Sequence, residues 1–179
     1  MENPISKANR DSSSIIFNNY FSANECAQII NLSEFKTFKE DNNLITKSFA
    51  ELTKKHWLTE KLNTLINHAN QSYFDFDVSM LNELYLFECR EGAILDWRMD
   101  IGPGLSATRK ITFFVFLSEN NNYEGGKINF CLIKPQKEYI EQGCGKTILF
   151  PAFKPYILEE VTKGTVYFLN GFMHGNSFY

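Results

Sequence analysis

Apolar and polar positions along this chain follow two different periods, one after the other. Residues 1–13 are polar and carry no period, which predicts a flexible lead-in to a domain over 14–179. Ile15-Ile16-Phe17 predicts a short strand. Ser22-Ala23-Asn24-Glu25 has the form of a capping box, with Ser22 accepting from the backbone near Glu25 and Glu25 reaching back. A helix is expected from there through about Leu32, with Cys26, Ile29 and Ile30 as its apolar stripe. A second helix is expected over 57–70, because Leu58, Leu62, Leu65, Ile66 and Ala69 fall on one face. From Tyr73 onward the pattern shortens to strand-length runs at 83–89, 94–99, 109–117, 126–133, 146–150, 155–159 and 165–172. Gly92, Gly102-Pro103-Gly104, Gly125-Gly126, Gly143 and Gly164 punctuate them. Helices followed by a run of strands predict a mainly β, α+β fold: a jelly roll (double-stranded β-helix) with two N-terminal helices packed on one sheet.

Composition narrows the function classes. The chain has 179 residues, 44% of them hydrophobic, enough for one domain with a sizeable core and no dividing linker. A net charge of −3 provides no electrostatic footprint for nucleic acid. No basic run suits a membrane surface, and no apolar stretch approaches the roughly 20 residues of a span. The start, Met1-Glu2-Asn3-Pro4, lacks the apolar core of a signal peptide, so a cytoplasmic location is expected. Cys26, Cys89, Cys131 and Cys144 form no C-x-x-C pair, which favours free, partly buried thiols over a zinc site.

Several segments, in order, resemble the prolyl-4-hydroxylase-like 2-oxoglutarate/iron(II) oxygenases of bacteria and phages. They are Phe21-Ser22-Ala23-Asn24-Glu25-Cys26, Asn70 to Asp77, Gly92 to Gly102, Arg109-Lys110-Ile111-Thr112, Leu117-Ser118, Tyr123-Glu124-Gly125-Gly126, Phe150-Pro151-Ala152-Phe153 and Val161 to Thr165. The resemblance spans roughly residues 20–172. It implies the jelly roll, iron(II) held by two His and a carboxylate, and 2-oxoglutarate anchored by a cation.

The same resemblance assigns those positions here. The first metal His falls on Arg98, the carboxylate on the retained Asp100, the second His on Tyr156 and the oxoglutarate Arg on Val166. A guanidinium stays protonated and has no lone pair for a metal. A phenol with an ordinary pKa near 10 is a reluctant ligand. Val166 offers a carboxylate nothing, and an unpaired anion in an apolar pocket is costly. The expectation is therefore a vestigial site of Arg98, Asp100, Tyr156 and Val166, with no catalytic residue, no metal and no cofactor.

Other residues are weighed as substitutes. His56 and His68 lie in the helical part, where structural roles are expected; His174 follows the last predicted strand and could fold over the pocket. Asp96 could share a strand face with Asp100, and Lys110 and Lys146 are expected to be solvated. For Arg98 two readings stay open. Its guanidinium fills the metal position and pairs with Asp100, Tyr156 completing the site, or it swings to solvent. Bulky infill by Arg98, Tyr156 and Phe168, backed by Phe87, Leu95, Trp97 and Phe150, is expected to close the pocket.

Two functions follow. One is a catalytically inactive binding or structural module, in the host cytoplasm or a virion if phage-encoded, working through a protein partner or self-association. The other is an active hydroxylase with an unorthodox metal site. For the first, Tyr139 and Ile140 in a hairpin expected at 132–145 are the expected contact, or that hairpin only covers the barrel.

Overall fold

The computed structural model describes residues 14–49, 56–131, 138–139 and 142–178. The lead-in 1–13, and Ile140 of the expected contact, lie outside these residues. In chain order the elements are β1 (Ile15–Phe17), α1 (Ala23–Ile30), β2 (Phe35–Asp41), β3 (Leu44–Phe49), α2 (Trp57–Ala69) and β4 (Val78–Arg90). They continue with β5 (Leu95–Arg98), β6 (Arg109–Phe116), β7 (Tyr123–Gly125), β8 (Ile128–Phe130), β9 (Glu138–Tyr139), β10 (Thr147–Pro151), β11 (Tyr156–Leu158) and β12 (Val161–Gly175). Both predicted helices form. Ser22 caps α1 in the reciprocal box with Glu25, and α2 passes into a single π turn at Asn70–Phe74.

Two antiparallel sheets make the jelly roll. The larger runs β1-β10-β6-β12-β4-β3-β2, with β7 pairing the start of β12, and the smaller runs β5-β11-β8-β9. Strand parity builds the core. In β6 the residues Ile111, Phe113 and Val115 face one way and pack with Leu58, Leu62, Leu65 and Ile66 of α2. Phe114 and Phe116 face the other way and join Phe150, Tyr156 and Phe168 inside the roll. A strand buried on both faces must be apolar at nearly every position, which is why Ile111 to Phe116 is apolar except at Thr112, whose hydroxyl is used at Asp100. The helices thus cover one face of the larger sheet and leave its other face to the interior.

Three strands were not anticipated: β2, β3 and β7. The β2–β3 hairpin is almost wholly exposed along β2, so burial left no alternation to read. Its signal is the turn. Asn42 and Asn43 both take positive φ, 45° and 63°, the two-residue geometry that matches the twist of a hairpin. Of the segment 132–145, β9 places the backbone of Tyr139 opposite Asn129.

Tight backbone approach fixes where α1 meets the roll. Gly145 has φ +81°, and a Cβ there would run into the carbonyl oxygen of Phe21. Gly104 has φ +67° with open space around it. Replacing each with Ala separates conformational cost from collision. In urea unfolding, Gly104→Ala is expected to cost about 1 kcal/mol, and Gly145→Ala at least about 2 kcal/mol more, because backbone must move. Equal costs would show that the approach is not tight.

Candidate functional site

The site grows from Asp100, which leaves the end of β5 with its side chain only 1% exposed. Its amide donates to the carbonyl of Ala152 at 2.9 Å, and its carbonyl accepts from Arg109 Nη1 at 3.1 Å. The carboxylate is contacted from three sides. Thr112 Oγ1 donates to Oδ2 at 2.9 Å, Tyr156 Oη donates to Oδ1 at 3.2 Å, and Arg98 Nε stands 3.5 Å from Oδ1. Arg98 and Tyr156 are register partners on β5 and β11, which brings them to the same oxygen. Burial pushes the Asp100 carboxyl above its ordinary range, with Arg98, Thr112, Tyr156 and Arg109 opposing. Burial, and then the charge of Asp100, hold the Tyr156 phenol well above its ordinary value, so it stays a donor.

Next to Asp100 lies a polar network that the sequence reading did not anticipate. Glu83 on β4 accepts from Arg109 Nε at 2.7 Å and Nη2 at 2.6 Å, a bidentate pair. Tyr85 Oη donates to Glu83 Oε1 at 3.0 Å, and His174 Nε2 lies 3.0 Å from Oε2. His174 Nδ1 lies 2.8 Å from Thr108 Oγ1, whose own hydrogen goes to the carbonyl of Leu105. His174 thus bridges Glu83 on one side and Thr108 on the other, and both ring nitrogens are engaged within the protein. Burial works against the Glu83 carboxylate, but the bonds from His174 and Arg109 outweigh it and hold its pKa down at about 2. Period-two parity from Phe87 through Tyr85 to Glu83 was the signal that could have found this network.

The remaining residues named from sequence are dispersed. Val166 is buried in the interior core, packed near Gly126, and does not line the cleft beside Asp100. His56 caps α2 by accepting from the Leu58 amide, and His68 stands in the last turn of that helix. Asp96 is exposed and accepts from the Trp97 amide. Lys110 is not solvated as expected: it is 5% exposed, its ammonium over the ring of Phe178. The expected infill is only partly made. Tyr156, Phe150 and Phe168 are buried, but strand parity turns Trp97 outward, 48% exposed, and the Arg98 side chain remains 44% exposed. A cleft of about 300 Å³ survives. Its back is formed by Tyr85 and Phe87 of β4 and by Asn170 and Phe172 of β12, its sides by the β2–β3 hairpin and β5.

No protein-family model matches the chain. It is 31% identical over 68 residues to a PKHD-type hydroxylase of Synechococcus sp. (strain CC9902), a match covering 38% of this chain and 30% of that protein, so the chain matches under a third of that relative's length. Similar solved structures include a prolyl-4-hydroxylase of Pseudomonas putida, with TM-score 0.70, 13% identity, and 92% of this chain and 94% of that one covered. A viral collagen prolyl hydroxylase from Paramecium Bursaria Chlorella virus-1, solved as a 2OG complex, has TM-score 0.70, 15% identity, and coverage of 93% and 97%. An oxidoreductase of the 2OG-Fe(II) oxygenase family from Burkholderia pseudomallei has TM-score 0.69, 12% identity, and coverage of 94% and 87%.

These likenesses correct the expectation that no cofactor applies, because the similar structures are 2OG-Fe(II) oxygenases, which use iron(II) and 2-oxoglutarate. The cleft residues fit that pair unevenly. Asp100 suits a hard or borderline cation. Arg98 and a protonated Tyr156 do not, and among the described residues no three His, Cys, Asp or Glu side chains come together. No helix among the described residues is long and apolar enough to cross a membrane.

The two carboxylates give opposite pH signatures. Glu83, depressed to about 2, stabilises the fold fully above the ordinary carboxylate range, and that contribution is lost as pH falls toward 2. Asp100, raised by burial, contributes stability below the ordinary range that is lost as pH rises through its own pKa. In acid unfolding, Glu83→Gln is expected to flatten the loss below pH 4.5, removing on the order of 1–2 kcal/mol after solvent screening. An unchanged acid limb would contradict the network. The fold, with the local match in sequence, leads to one conclusion: this chain has the prolyl-hydroxylase-like jelly roll of the 2-oxoglutarate/Fe(II) oxygenase superfamily.

Proposed function

We propose that the chain is a catalytically inactive relative of these oxygenases, a binding or structural protein that uses the fold without the hydroxylation. The observation that carries this is the pairing at Asp100. The one carboxylate kept at the family's metal position has a guanidinium 3.5 Å from Oδ1 and a phenol donating to that same oxygen. Both groups are poor metal ligands, and the cation opposes a second cation. At the position that the resemblance gives to the oxoglutarate cation stands Val166, whose side chain is apolar and buried in the core. A scaffold that keeps its core keeps its surfaces for recognition, so partner binding or self-association follows, and likeness to a viral hydroxylase makes a virion or assembly role part of this reading. An active hydroxylase with an unorthodox site is favoured by one observation, that the similar proteins are enzymes by name.

Turnover decides between them. The protein supplied with iron(II), 2-oxoglutarate and a proline-containing peptide is expected to release succinate no faster than buffer, and steady turnover would overturn the proposal. Arg98→His with Tyr156→His is expected to bind iron(II) about tenfold more tightly than the unaltered chain. No gain in a folded double variant would show that the backbone no longer holds the family's geometry.

A further inference from the structure

We propose that the cleft binds a monocarboxylate carried on an apolar body, with Arg98 as the anion anchor. This rests on the reading that the chain binds rather than hydroxylates, and it names the chemistry of that binding.

The cations in the cleft can be accounted for one by one. Arg109 is spent on Glu83 through two bonds and on the carbonyl of Asp100, with its guanidinium stacked on Phe172 at 3.8 Å. Lys39 is paired with Asp41 at 3.1 Å. Among the described residues Arg98 has one polar contact, Nε toward Asp100. A guanidinium has five donors in a planar fork, so both terminal nitrogens of Arg98 are left for a carboxylate, the group that fork fits in a bidentate pair.

Asn170 supplies a second independent mark. Its side chain lines the cleft and is 2% exposed. Its amide nitrogen donates to the carbonyl of Phe113, and its carbonyl oxygen has no partner among the described residues. That oxygen is not sealed away from the cleft that Asn170 lines, and it can accept from a ligand with an N–H or O–H near its carboxylate. The surrounding surface is apolar: Phe87 and Leu95 inside, Ile94 and Phe38 at the rim, Phe38 being 69% exposed. Charge sets the valence. A dianion would place its second negative charge toward Asp100, where no unpaired cation remains. A monocarboxylate gains Arg98 without that cost.

Two sources supply this chemistry: a free arylalkanoic acid, or the C-terminal residue of a peptide, whose own amide N–H suits Asn170. Calorimetric titration with phenylacetate and N-acetyl-Ala-Phe, each against its carboxamide, separates them. Both acids, or the peptide acid alone, are expected to bind at least about tenfold more tightly than the matching amides. Binding by the peptide acid alone identifies a chain end as the ligand, and binding by both shows that a small acid suffices. Arg98→Gln, shown folded by its unfolding transition, is expected to lose the preference for acid over amide. Lys163→Gln, which alters an exposed ion pair with Glu124, is expected to retain it. Equal binding of acid and amide, an unchanged preference in Arg98→Gln, or no binding up to about 10 mM would overturn the proposal. Succinate release from 2-oxoglutarate would instead overturn the reading it rests on, so the two failures are distinguishable.

Discussion

A carboxylate at 1% exposure is the constraint around which the two sheets close. Burying an unpaired charge costs several kcal/mol, so Asp100 is tolerable only where partners converge on it. They come from separate strands: Thr112 from β6, Tyr156 from β11 and Arg98 from β5. Its backbone is held as well, by Ala152 just past β10 and by Arg109 at the start of β6. One residue thus joins the smaller sheet to the larger one at the open end of the roll.

The hydrophobic architecture sets where this can happen. Phe114 stacks on Phe150 and meets Tyr156 and Phe168 edge-on, so the interior behind Asp100 is filled with aromatic rings. Such rings bury large areas, each worth roughly 1.5–3 kcal/mol. Polar groups are pushed toward the open end, where Glu83, Arg109 and His174 satisfy one another. The cleft survives there because Arg98 keeps its charged head in water and Trp97 alternates to the outer face.

Much of the fold was legible because burial writes itself as period. The capping box at Ser22 and Glu25 and the stripe of α2 gave both helices, and the double-faced β6 showed as the apolar run Phe113 to Phe116. The β2–β3 hairpin was not legible from burial, since one strand of it is nearly all exposed and its turn chemistry was the remaining sign. At the site, the positions of Arg98, Asp100 and Tyr156 came from resemblance and converge on one oxygen. The Glu83 network joins residues far apart in the chain, and only strand register brings Arg109 opposite His174. The surviving cleft was misjudged because side-chain volume was counted without strand parity, which sends Trp97 away.

The central claim is that Arg98 is the counter-charge of Asp100. A double-mutant cycle of Arg98→Gln and Asp100→Asn, read by urea unfolding at neutral pH, tests it most directly. The account predicts a coupling of about 1 kcal/mol, with Arg98→Gln destabilising the native chain and close to neutral once Asp100 has lost its charge. A coupling within about 0.3 kcal/mol of zero would contradict it, and would mean that Thr112 and Tyr156 alone sustain the buried carboxylate.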